Sequence, residues 1–146
     1  MKKILIIAAI IAVPVAGTLI LARFVYPGNI AETSENNENA ELKTRIYAAD
    51  LPTVFETVKK IIPTLSTYGS NWKLTGAEIK SDKAVVKTEV PVVVFTDDLI
   101  LNMKQSDGKT KVDVRSNSRV GQSDFGENRR HVLQILNGLD KKFNAK

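Results

Sequence analysis

The chain has 146 residues and a formal charge of +5, with 43% hydrophobic and 25% charged residues, which suits one globular domain with a modest core. It contains no cysteine, which excludes disulfides, cysteine-ligated zinc, a thiol nucleophile and a lipid attached through cysteine. With a single histidine as well, a metal would have only carboxylates to bind, and we expect no cofactor.

The first element is the uncharged run Ile4 to Ala22, preceded by Lys2 and Lys3 and followed by Arg23. As a helix it is long enough for the ~30 Å apolar core of a bilayer. The two lysines favour a cytoplasmic N-terminus. The expectation is a retained transmembrane helix over a segment 1–26, in a single-pass protein of the cell membrane with its domain outside. Ala16 and Gly17 weakly resemble a cleavage site, so a cleaved signal segment is the alternative. Either reading exports the rest of the chain.

Residues 27–42 are rich in Asn and Glu and poor in apolar residues, which predicts a flexible acidic linker before a globular domain over 43–146. The domain should open with a short strand in "TRIYAA". Asp50 can cap a helix whose first turn holds Pro52, and Val54, Phe55, Val58, Ile61 and Ile62 keep helical spacing until Pro63. Four strands come next, in "WKLTGAEI", "AVVKTEVPVVVF", "DDLILNMK" and "TKVDVRSNSRV", with Pro91 at a bulge or an edge. Asp124 and Glu127 have the spacing of a capping box for a last helix, with Val132, Ile135, Leu136, Leu139 and Phe143 on one face. The predicted order is β-α-β-β-β-β-α. That is an α+β fold, a curved antiparallel sheet of about five strands with two helices on one face, similar to a helix-grip arrangement.

Asp107-Gly108 is a strong hairpin signal and sets a register. Met103 then faces Val112 and Leu101 faces Val114, followed on the same core side by Leu99 with Ser116 and Asp97 with Ser118. On the other side Asn102 faces Asp113, Ile100 faces Arg115, and Asp98 faces Asn117 with Arg115 and Arg119 as diagonal neighbours. Two polar clusters result at one end of the sheet. The outer one joins Asp98 with Arg115, Asn117 and Arg119. The inner one joins Asp97 with Ser116 and Ser118, near the start of the last helix. Arg115, Arg119 and Arg130 outnumber Asp98, so surplus positive charge at the mouth would suit an anionic group.

The run "DDLILNMKQSDGKTKVDVRSNSRVGQSDFGENRRHVLQIL" resembles the signature of a bacterial and plastid family known as domain of unknown function 1499. The resemblance falls on Asp97, Asp98, Asp113, Arg115, Ser116, Ser118 and Arg119, then on Gly121, Ser123, Asp124, Gly126, Asn128 and Arg130, and more weakly back to about Lys43. His131 stands where the family shows a second arginine. The resemblance implies a shared fold and residue set and brings no reaction with it.

Other chemistries fare poorly. Asp97 and Asp98 point to opposite faces of a strand and cannot act as a carboxylate pair. Ser116, His131 and Asp97 could compose a triad on paper, without any nucleophile elbow; His131 reads as a boundary residue of the last helix. No glycine loop for phosphate is present, and export argues against nucleic acid. The expected function is a non-catalytic, membrane-anchored module binding a lipid-like or anionic ligand, a wall polymer or an envelope partner. Its candidate residues are Asp97, Asp98, Arg115, Ser116, Ser118, Arg119, Asn128 and Arg130. The alternative is a hydrolase or isomerase using Asp97, Ser116, Ser118 and Arg119.

Overall fold

The computed structural model describes residues 28–143. Its strands are β1 (Ile30–Glu32), β2 (Arg45–Tyr47), β3 (Ser66–Thr67), β4 (Ser70–Asn71), β5 (Lys73–Lys80), β6 (Lys83–Val92), β7 (Phe95–Ser106) and β8 (Lys109–Ser118). Its helices are α1 (Leu51–Ile61) and α2 (Glu127–Phe143). The main sheet is antiparallel and six-stranded in the order β1-β8-β7-β6-β5, with β2 also on β8. Strands β1 and β2 share that edge of β8, one against Arg115–Asn117 and the other against Thr110–Val112. Strands β3 and β4 form a separate small hairpin.

The hairpin of β7 and β8 has the register expected from Asp107-Gly108, with Met103 opposite Val112 and Asp97 opposite Ser118. Both turn residues have positive φ, 51° at Asp107 and 72° at Gly108, as the tight two-residue hairpin requires. Alternation then sorts the faces. Val86, Val90, Leu99, Leu101, Met103, Val112 and Val114 are buried under the helices. Helix α1 begins as expected: Asp50 accepts the Thr53 N–H at 2.9 Å, and Pro52 sits in the first turn. Pro63 ends it in one 3-10 turn, Ile62–Thr64. Gly138 lets the helices approach, since a Cβ there would lie 3.3 Å from Ile61 Cγ2. The far end of α2 is held to β2 by Asp140, which accepts from the Tyr47 hydroxyl at 2.8 Å and from Arg45 Nε at 3.2 Å.

Two expectations need correction. The expected transmembrane helix is not an element of this fold: among the described residues no helix is long and apolar enough to cross a membrane, and Ile4 to Ala22 lies outside them. The stretch read as a linker instead contains β1 and a 3-10 turn, Ala40–Leu42. Thr33 binds Val114 through backbone and hydroxyl, both at 2.9 Å, and the Thr33 and Thr44 hydroxyls both donate to Asp113, at 3.0 and 2.5 Å. Asp113 thereby ties both ends of the 33–44 excursion to the edge of the sheet. Pro91 takes the edge position, one of the two expected for it. It lies where β6 has run beyond its pairing with β5, and the irregularity falls in β5 between Leu74 and Gly76.

Three turns carry large side chains in the left-handed region, Tyr68 (φ 51°), Val93 (φ 54°) and Phe125 (φ 53°). Each costs about 1 kcal/mol or more relative to glycine or asparagine.

Candidate functional site

The register decides which aspartate enters the molecule. Asp97, at the start of β7, is buried on the core face, whereas Asp98 lies on the outer face. The two predicted clusters therefore exist as separate arrangements.

Outside, Arg119 clamps Asp98 with two hydrogen bonds, 3.0 and 2.6 Å, and also reaches Glu89 at 2.7 Å. These carboxylates hold the Arg119 guanidinium firmly charged. Arg115 does not join them; it pairs with Glu32 of β1 at 2.6 Å. Arg130 pairs with Glu127, one helical turn away. Each arginine expected to supply surplus charge thus has a carboxylate of its own. The sequence reading undercounted because Glu32 sits in the supposed linker and Glu89 on a neighbouring strand.

Inside, Asn128 is the centre of the polar network. Its Oδ1 accepts from the Ser116 hydroxyl at 2.6 Å, and its Nδ2 donates to Ser118 Oγ at 2.9 Å and to the Asn29 carbonyl at 2.8 Å. Asn128 and Ser116 are both fully buried. This network bolts the start of α2 to the end of β8 and to the chain entering β1. It also occupies Ser116, so the paper triad with His131 and Asp97 is not assembled. Asp124 starts the helix, its carboxylate accepting the Gly126 and Asn128 N–H groups at 2.9 and 2.7 Å. Glu127 does not close a capping box with it. Its carboxylate instead takes the Tyr68 hydroxyl and Arg130.

That redirection creates the feature sequence reading missed. His131 is not a boundary residue; only 1% of it is exposed. Its Nδ1 lies 3.6 Å from Asp97 Oδ2, its Nε2 lies 3.6 Å from Glu127 Oε2, and its ring meets Trp72 edge-on at 5.8 Å. Among the described residues, Asp97 Oδ2 and both ring nitrogens are buried without a hydrogen-bond partner. Burial pushes the His131 pKa down to about 4; Glu127 and Asp124 oppose this, while Arg130 reinforces it, so the ring is neutral near pH 7. Burial pushes the Asp97 carboxyl up. A hydrogen bond from Ser118 pulls the other way, and the nearby carboxylates of Asp124, Glu127 and Asp98 add to the rise. The one sequence signal for this group was the i, i+4 spacing of Glu127 and His131 on α2.

Asp97 and Glu127 line a cleft of about 320 Å³. Its other walls are Val92 and Phe95 from the β6–β7 hairpin, and Ser118, Val120, Gly121, Ser123, Asp124 and Phe125 from the end of β8 and the following loop. The cleft is apolar at its mouth and acidic at its base. It can wrap a small apolar body and offer it a hydrogen-bond acceptor at the base. Of the residues expected to form a site, only Asp97 and Ser118 line it. Arg115, Arg119 and Asp98 lie on the outer face of the sheet, and Ser116 and Asn128 are locked in the network behind. Among the described residues no group of histidines and carboxylates is arranged to hold a metal ion.

No curated protein matches the chain. Among solved structures it is similar to TTHA0849 from Thermus thermophilus, at 9% identity and a TM-score of 0.34, over 80% of this chain and 97% of that one. Nothing is carried over from so distant a likeness. Residues 24–139 match a family described as a protein of unknown function, DUF1499. That range takes in Asp97, the Asn128 network, His131 and every wall of the cleft, and the chain belongs to this family.

Proposed function

We propose that the domain is a non-catalytic binding module whose cleft takes a lipid-like ligand. The apolar body would lie against Val92, Phe95, Val120 and Phe125, and a hydroxyl or amide of the head group would donate to Asp97 Oδ2. The observation that carries this reading is the buried Asp97, whose Oδ2 has no hydrogen-bond partner, at the acidic base of a cleft with an apolar rim. The acidic lining of Asp97, Asp124 and Glu127 favours an uncharged head group over the anionic one expected from sequence. The cell envelope is the location we propose, because either reading of the uncharged run behind Lys2 and Lys3 exports the domain.

The test is mass spectrometry of the intact purified protein and of its organic extract. A defined amphipathic species should accompany the native chain and be lost from Asp97→Ala, with the circular dichroism spectrum unchanged. An empty native chain, or a ligand held equally by Asp97→Ala, would reject the reading. A second reading is favoured by one observation, the neutral His131 between two carboxylates, one of them with a raised pKa. Such a group can move protons, as a hydrolase or isomerase needs. Ligand turnover that Asp97→Asn abolishes while binding persists would decide for it.

A further inference from the structure

Nine large hydrophobic residues are exposed among the described residues, and six of them gather at one end: Tyr68, Val93, Val94, Phe95, Val120 and Phe125. Val93 and Val94 form the tip of the β6–β7 hairpin and are 76% and 81% exposed. Phe95, Val120 and Phe125 rim the cleft, and Tyr68 joins them through its bond to Glu127. Three loops thus bring apolar side chains to one mouth.

A second observation coincides with the first. Beside the left-handed glycines Gly69, Gly121 and Gly126, these three loops also place Tyr68, Val93 and Phe125 in the left-handed region, where glycine or asparagine would rest without strain. The Asp107-Gly108 hairpin, at the opposite end of the sheet, uses the unstrained residues. Exposure and strain are therefore accepted together at the mouth. Neither helps the fold.

We propose that these loop tips dip into the uncharged part of a lipid surface, so that the mouth of the cleft opens on the bilayer. Where the chain enters argues for lipid over a protein partner. The Gly28 carbonyl accepts from the Asp124 N–H, and Asn29 binds the Gly121 carbonyl, so the chain enters the domain at this same mouth. Only five residues separate Gly28 from the uncharged run that ends at Ala22, a reach of about 20 Å at most. Gly28, the first described residue after the apolar run in sequence, thus lies at the end that carries the apolar rim. Charge argues for neutral lipid: Arg119 and Arg130 are already paired, and Asp97, Asp124 and Glu127 lie beneath the rim. Insertion is driven by aliphatic and aromatic contact and by Tyr68 at the interface. This inference does not rest on a ligand in the cleft, since a rim can enter lipid above an empty one.

The absence of cysteine makes the test direct. The full chain is labelled with a polarity-sensitive fluorophore at Val94→Cys, or at Lys109→Cys in the opposite hairpin, and mixed with phosphatidylcholine vesicles carrying a brominated lipid as quencher. Emission from position 94 should shift to the blue and be quenched at low and at high salt, while position 109 stays in water. Adding Val93→Asn, which suits the left-handed turn, should cut the quenching at 94 several-fold without lowering the melting temperature. The proposal is overturned if position 94 stays in water, or if 94 and 109 respond alike. It is equally overturned if anionic lipid is required and salt abolishes the effect, if Val93→Asn changes nothing, or if the shift at 94 follows protein concentration without vesicles.

Discussion

Replacing His131 with leucine should remove a specific part of the acid sensitivity of the fold. The ring is buried and its pKa is held at about 4, against about 6.5 for a free imidazole. A histidine depressed in this way binds its proton more readily in the unfolded chain. Stability is therefore intact above about pH 6.5 and drains away as the pH falls towards 4. Two and a half pH units at ~1.36 kcal/mol each set a limit of roughly 3 kcal/mol, of which about 2 kcal/mol is lost between pH 7 and pH 5. Asp97 has the opposite sign, because its raised pKa makes the folded state gain protons as the pH falls. Asp97 and the other carboxylates remain in the variant, so comparing it with the native chain isolates the ring. At pH 7 the substitution exchanges a neutral ring with two unpartnered nitrogens for an apolar side chain, and stability should change by only about 1 kcal/mol. Urea unfolding at pH 7 and pH 5 measures both quantities. If the native chain and His131→Leu lose stability equally over that interval, the ring is not held neutral by burial and the account of this group fails.

Asn128→Ala should cost about 2–4 kcal/mol in urea unfolding, since it leaves the buried Ser116 hydroxyl and the Asn29 carbonyl without their partner; a loss under about 0.5 kcal/mol would mean the network can be dispensed with. Asp97→Asn should raise stability at pH 7, because it removes a carboxylate whose charged form is penalised by burial, and the gain should shrink as the pH falls through the raised pKa of Asp97; a thermal melt showing the variant less stable at pH 7 would count against this. A chain beginning at Lys43 should melt several degrees below one beginning at Gly28, because it lacks β1 and the Thr33 bonds to Val114 and Asp113. Arg119→Gln should weaken the fold slightly at low salt and not at all at high salt in urea unfolding, because all three members of that clamp are partly exposed.

What could be read from sequence was what short-range rules control. Asp107-Gly108 set the β7–β8 register, and with it the burial of Asp97 and the exposure of Asp98. Asp50 and Pro63 marked the ends of α1. Ile30–Glu32 escaped because three residues show no periodicity, and their partners lie some 85 positions along the chain. Arg119 meets Asp98 as the register implied, whereas the partner of Arg115 was missed for the same reason as β1, since Glu32 was assigned to a linker. His131 escaped because the helical pattern places it beside the apolar stripe and does not tell which residues close over it. Asp97 does so from near the start of β7 and Trp72 from the link between β4 and β5, a juxtaposition that only the folded sheet creates.

The shared edge of β8 has a consequence for the order of assembly. Strands β5 to β8 succeed one another through tight turns, so they can zip as local hairpins. Strands β1 and β2 are made first and paired last, because their template, residues 110–117, is synthesised long after them. A nascent chain that has reached α2 thus holds a partly built sheet whose β8 edge stays open until the N-terminal segment returns across nearly the full length of the domain. In that interval the β8 edge, like the outer edge of β5, is open to pairing with another chain. A chaperone that shields it should bind the growing chain just before completion and leave once Thr33 and Thr44 close on Asp113.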